Sequence, residues 1–274
     1  MRLLASLQNS RLLAGGQSLM PMLNFRLLAP EHLIDLNRIA ELRGIEIDAR
    51  GIRIGAMTRQ CDLETSPQIA THVPLIRAAL AHVGHRPTRN RGTLGGSLCH
   101  LDPSAELVTA SAALDATLLA ESAHGVRRIP IAEWSEGYLT NGLRPEEMLV
   151  GIEYPVWPTH HGYAFTEYAR RKGDFAIVCT AVLLNVGSDG CIDRAAIAVG
   201  GCSAAPQRLS AAEQCLLGAR PDNALLAEAA RKASALEAAT DPYVAAEYRR
   251  HLARVLVQRA LVEASQRAVI GAIA

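Results

Sequence analysis

The chain has 274 residues, with 28 Lys+Arg against 27 Asp+Glu, a formal charge of +1, and 49% hydrophobic residues. That apolar content excludes a disordered chain, and the length admits one large or two modest domains. Near-neutral charge and 4% aromatics exclude a nucleic-acid binder built on a basic stripe or a base-stacking platform.

The predicted elements run in order from a short apolar strand at 11–14, ending in a glycine pair, to a second strand at 32–36. Residues 45–48 and 52–55 alternate apolar and polar around Arg50-Gly51, as a hairpin would. A helix is expected to begin near Thr58, and residues 74–83 carry Leu75, Ile76, Ala79, Leu80 and Val83 at helical spacing. Residues 86–103, rich in glycine and arginine with a proline near each end, read as an ordered functional loop rather than a helix. A buried helix at 106–114 follows, then strands at 116–120, 128–131 and 148–152. Pro155 and Pro158 punctuate a boundary between domains 1–158 and 159–274. Beyond it, strands at 163–168, 176–186 and 194–199 precede helices at 211–217, 223–236 and 244–264, an α+β layout.

Six cysteines, at 61, 99, 179, 191, 202 and 215, form no CxxC pair and match no zinc or iron–sulfur spacing. They read as free thiols of a reducing compartment. The N-terminus lacks a secretory apolar segment, and the longest apolar run, 175–186, is too short to span a bilayer, so the expectation is a cytoplasmic protein with no transmembrane segment.

Two glycine pairs carry the chemistry. Leu13-Ala14-Gly15-Gly16-Gln17-Ser18-Leu19 puts a glycine pair after a strand, where backbone N–H groups and the Ser18 hydroxyl can cradle phosphate or form a plain tight turn. Arg91-Gly92-Thr93-Leu94-Gly95-Gly96-Ser97 repeats the arrangement and could hold the other half of a pyrophosphate. Neither is a GxGxxG or a GxxxxGK[ST] sequence. His82 and His85 read as a solvated or loop-capping pair, Asp102 and His100 as loop architecture, and Arg89 and Arg91 as phosphate or partner contacts.

Together these loops resemble the FAD-binding medium subunits of molybdenum hydroxylases, the carbon monoxide, nicotine, caffeine and xanthine dehydrogenase group. Supporting stretches are His32-Leu33-Ile34-Asp35-Leu36, Ile54-Gly55-Ala56-Met57-Thr58, His100-Leu101-Asp102-Pro103-Ser104-Ala105-Glu106 and Arg170-Arg171-Lys172-Gly173-Asp174-Phe175-Ala176. The resemblance implies a two-subdomain FAD-binding domain, of the vanillyl-alcohol-oxidase type, and a smaller C-terminal domain of a β-sheet plus helices. It implies FAD held at Leu13, Ala14, Gly15, Gly16, Gln17, Ser18 and Leu19 and at Thr93, Leu94, Gly95, Gly96 and Ser97. Glu106 would meet the flavin's sugar-alcohol chain, Val83 and Leu149 would pack on the cofactor, and Phe175 would lie over the ring. The lysine that xanthine-type members place on the flavin corresponds to Thr166. Fewer residues precede Ala14 than in the family, so either its first strand is missing here or the sequence starts at an internal position, and Met1 to Ser10 is expected to continue the helix ahead of the loop.

The resemblance further implies electron transfer within a complex. Iron–sulfur (2Fe–2S) clusters on a small subunit would pass electrons to FAD here and on to an external acceptor. The molybdenum cofactor would sit on a large molybdopterin-binding subunit, in a dimer of heterotrimers. No catalytic side chain and no metal ligand are expected on this chain. The alternative is a stand-alone FAD-dependent oxidase or dehydrogenase acting directly on a small substrate; no general base and no histidine for covalent flavin attachment in the first glycine loop speak for it.

Overall fold

The structure, a computed structural model, describes residues 1–49 and 51–273. A short helix α1 (Arg2–Ser6) leads into β1 (Ser10–Leu13), which pairs in parallel with β2 (His32–Asp35) across helix α2 (Leu19–Asn24). This small unit carries the first glycine loop between β1 and α2. The hairpin β3 (Ile45–Asp48) and β4 (Gly51–Gly55) lies where alternation placed it, and Arg50 of the expected turn lies outside the described residues.

Helices α3 (Gln60–Thr65), α4 (Pro67–His72) and α5 (Pro74–Leu80) follow, the last two beginning on prolines whose missing N–H suits a first helical turn. Residues 86–103 differ from expectation. They form two short helices, α6 (Arg86–Arg91) and α7 (Leu94–His100), with Gly95 and Gly96 in the first turn of α7. Thr93 caps α7 through its hydroxyl, which accepts from the Gly96 N–H at 3.0 Å. Helix α8 (Glu106–Ala113) is buried along its whole length. Strands β5 (Thr117–Ser122) and β6 (Gly125–Pro130), a small hairpin β7 (Ser135–Gly137) and β8 (Thr140–Asn141), and β9 (Met148–Pro155) complete the first half. Its main sheet is antiparallel, in the order β3-β4-β9-β5-β6.

The second half is a four-stranded antiparallel sheet, β10 (Gly162–Tyr168), β11 (Val178–Val186), β12 (Ile192–Gly200) and β13 (Gln207–Arg208), in that order. Helices α9 (Ser210–Leu216), α10 (Asn223–Lys232) and α11 (Ala246–Ile273) cover one face. Ala164, Val182, Ile197, Leu256, Val257 and Leu261 make that core. The other face packs on the first half. Phe165, Cys179, Leu183 and Ala198 join Leu75, Ile76, Leu107 and Val108 in one apolar cluster. At the connector, the Arg194 guanidinium lies 3.8 Å over the Trp157 ring. The mixed, mostly antiparallel architecture is the α+β fold expected. All six cysteines are free, and no helix among the described residues is long and apolar enough to cross a membrane.

Candidate functional site

The two glycine loops meet. A Cβ on Gly15 would overlap the Arg91 carbonyl, and one on Gly96 would stand 3.7 Å from the Ala14 Cβ. The missing side chains let the segments touch. Gly16 has φ of +75°, in the left-handed region that glycine enters without penalty.

A diphosphate needs donors that the protein itself does not use. The first loop has them. Among the described residues, no protein acceptor takes the backbone N–H groups of Gly15, Gly16, Gln17 or Ser18. The second loop differs. Its Leu94 N–H donates to Thr58 O at 3.1 Å, Gly95 N–H to Ala56 O at 2.9 Å, and Ser97 N–H to Thr93 O at 3.2 Å. With Gly96 on Thr93, these four amides are engaged inside the chain. The expected second nest of free donors is therefore absent at 94–97, because the glycines there seat α7 against the β4–α3 turn. Within this loop the Thr93 N–H and the Ser97 hydroxyl have no partner among the described residues.

An arginine missed in the sequence ties the loops together. Arg59, just ahead of α3, donates to the Arg91 carbonyl and to Asn37 Oδ1, and Asn37 in turn donates to Ala14 O at 3.0 Å. Burial first, then the nearby Arg91 and Arg43, pulls Arg59 below the usual arginine value. Cations crowded beside a strip of free amides suit a dianionic phosphate pair. The residues present thus fit the diphosphate of FAD at the first loop. Arg89 is not part of this patch: it pairs with Glu64 at 2.9 Å and donates to Val83 O.

The other expected contacts are spread over both halves. Val83 is half-buried against the core and Leu149 is buried in β9. Glu106 is buried at the start of α8; burial, with Asp102 adding, pushes its carboxyl up to about 7. Phe175 is 71% exposed. It follows Gly173, where a Cβ would stand 2.6 Å from the His85 ring, so this loop lies against the end of the first half's helices. Thr166 is turned the other way, donating to Leu256 O of α11 at 3.2 Å, and Glu167 is its neighbour on the face toward the first half. His82 is only part-solvated: its ring packs 5.4 Å from that of Phe165 while its side chain stays 36% exposed. Asp102 accepts from the Ser104 N–H at 2.8 Å, a local turn contact. No metal-competent cluster of His, Cys, Asp and Glu exists among the described residues.

Residues 1–157 match the family model described as FAD binding domain in molybdopterin dehydrogenase, and residues 163–264 that described as CO dehydrogenase flavoprotein C-terminal domain. The chain is 38% identical to the 6-hydroxypseudooxynicotine dehydrogenase complex subunit alpha of Paenarthrobacter nicotinovorans, over 95% of this chain and 88% of the relative. It is 34% identical to the carbon monoxide dehydrogenase medium chain of Afipia carboxidovorans, over 95% and 91%. Two solved structures superpose closely. One is carbon monoxide dehydrogenase from Hydrogenophaga pseudoflava (TM-score 0.93, 36% identity, 97% of this chain and 93% of that one). The other is quinoline 2-oxidoreductase from Pseudomonas putida 86 (TM-score 0.92, 38% identity, 97% and 93%).

Proposed function

The chain belongs to the FAD-binding medium subunits of the molybdenum hydroxylases, and on that premise we propose that it receives electrons from iron–sulfur clusters on a partner subunit and delivers them to an external acceptor. It is an FAD-dependent oxidoreductase subunit; bound FAD supplies the redox chemistry, accepting and releasing electrons, while the protein supplies placement and electrostatics. The observation that carries the reading is the strip of free amides at Gly15 to Ser18, beside the Arg59–Asn37 clamp.

In this reading Leu13 to Leu19 hold the diphosphate, and the Arg59 and Arg91 guanidiniums balance its charge. Residues 93–97 act mainly by holding that loop in place, with the Thr93 N–H and Ser97 hydroxyl as their own donors. Glu106 orients the sugar-alcohol chain. Val83 and Leu149 exclude water from one side, and Phe175 supplies an apolar cover from the second half. The boundary between the FAD domain and the C-terminal domain falls at Pro158. Partners are an iron–sulfur small subunit and a molybdopterin-binding large subunit, in a dimer of heterotrimers in the cytoplasm.

Purification of the chain alone and with its two partners tests this. The expected outcome is a yellow protein in both preparations, with substrate-driven flavin reduction only in the complex. Turnover of a small substrate by the isolated chain would overturn the reading in favour of a stand-alone oxidase or dehydrogenase.

A further inference from the structure

The junction between the halves holds a group of titratable side chains that the diphosphate cradle does not use. Strand β10 presents Tyr163, Phe165 and Glu167 toward the first half. The Glu167 side chain is 5% exposed, and its Oε2 is buried with no hydrogen-bond partner. Its Oε1 stands 3.9 Å from His82 Nδ1, beyond hydrogen-bond range but within electrostatic reach. The His82 side chain is 36% exposed, which makes the imidazole the cluster's opening to solvent.

Glu106 at the head of α8 is the second carboxyl. Cys179, opposite Glu167 in the β10–β11 register, contacts the Thr109 hydroxyl of α8 at 3.3 Å and ties strand to helix. The remaining charged neighbours are Asp102, ahead of α8, acting on Glu106, and Lys172, in the loop after β10, acting on His82. Among the described residues no arginine, lysine or backbone N–H bonds to the Glu167 carboxyl. A buried acid that stayed ionised would have such a partner, since an unpaired buried charge is costly. Burial, with Glu106 adding, pushes Glu167 up to about 8, and burial with Lys172 holds His82 below the usual imidazole value.

We propose that Glu167, with Glu106 beside it and His82 as its path to solvent, is a proton-exchanging cluster that takes up a proton when electrons reach a cofactor seated between the halves. The inference rests on the FAD reading above, because Val83 adjoins His82, and His85 lies against the Gly173 backbone two residues before Phe175. Electrons from a one-electron iron–sulfur donor add negative charge to the site. That charge favours the protonated form of each nearby carboxyl. Where Glu167 is still a carboxylate, a solvent proton reaches it through the neutral His82 imidazole. The ring takes a proton from hydronium at one nitrogen and, as the 3.9 Å gap closes, releases the N–H proton of the other to the carboxylate. An N–H bond breaks, an O–H bond forms and His82 returns to its neutral state. No covalent bond to the cofactor is made, and the electrons stay on it. Glu167 is thus a positioning residue for charge, acting on the cofactor through the field.

The test is a redox titration of the flavin in the purified complex. It spans pH from about one unit below Glu106's value of about 7 to about one above Glu167's value of about 8. The wild-type plot of midpoint potential against pH should bend within that window, and redox-difference infrared spectra should show a carboxyl C=O band. Glu167→Gln should keep its FAD, flatten the bend and lose the band. His82→Ala should keep the bend but slow proton uptake after rapid reduction. An unchanged bend and band in FAD-loaded Glu167→Gln would overturn the proposal, as would a wild-type complex with no redox-linked carboxyl band. Absence of FAD from the wild-type complex is a different result and would overturn the cofactor reading itself.

Discussion

The first and second glycine loops share a pattern, a glycine pair flanked by hydroxyl residues, and use it for opposite ends. Among the described residues, the backbone N–H groups at Gly15–Gly16 meet no acceptor; at Gly95–Gly96 every amide from Leu94 to Ser97 has one. The first loop needs glycine for its left-handed turn at Gly16 and for contact with Arg91. The second needs it so that α7 can press on Ala56. The same residues in sequence therefore make a binding surface in one place and its foundation in the other.

That contrast can be broken by substitution. Gly95→Val should have the largest effect, because even a Cβ there stands 2.6 Å from the Ala56 Cβ and 2.7 Å from its carbonyl oxygen. Overpacking of this kind costs about 3 kcal/mol or more, and soluble yield, thermal stability and FAD content should fall together. A folded variant with the parent's FAD content would show that the loop is no foundation.

A change far from both loops sets the scale. Glu167 has a folded-state value raised from 4.5 to about 8, so the folded state holds more protons than the unfolded one over that range. Stability from this group is present at low pH and is lost as pH rises from about 4.5 to about 8. Glu167→Gln should remove that loss, raising stability above about pH 8 in denaturant melts and leaving it unchanged at about pH 4.

Arg59→Ala cuts the clamp without touching either loop's backbone. It should lower stability by about 1 kcal/mol and weaken FAD binding about tenfold, most visibly at low salt, as read by cofactor release on dilution. Gly16→Ala is the mildest. A left-handed φ costs about 1 kcal/mol, and the new Cβ would sit 3.2 Å from the Met20 Cγ. The fold should persist with modestly weaker FAD retention. If Gly16→Ala unfolded the chain and Gly95→Val only released FAD, the roles assigned to the loops would be reversed.

The strands and the order of the two halves were legible because alternation and proline punctuation are local signals. Helices α6 and α7 were not. Their glycines and arginines argue against helix until Ala56 and Thr58 are known to lie alongside, and a tertiary contact overrode propensity. Arg59 escaped notice because an arginine before a helix reads as a solvated end; only the fold brings it to Asn37 and Arg91. Thr166 and Glu167 show the same limit on β10. Alternation tells that they face opposite ways, but which face meets the first half depends on where α11 docks.

The cluster that joins Leu75 and Leu107 to Phe165 and Ala198 has a consequence for how the chain is made. Ribosomal synthesis delivers the first 160 or so residues with one apolar flank still bare, and the matching surface emerges only with β10 to β12. Until then that flank of the first half is exposed, and the shared cluster is completed only when β10 to β12 arrive. A break in the 155–161 connector would leave two pieces bound by that shared interior, so the connector's integrity matters to assembly order far more than to the finished molecule.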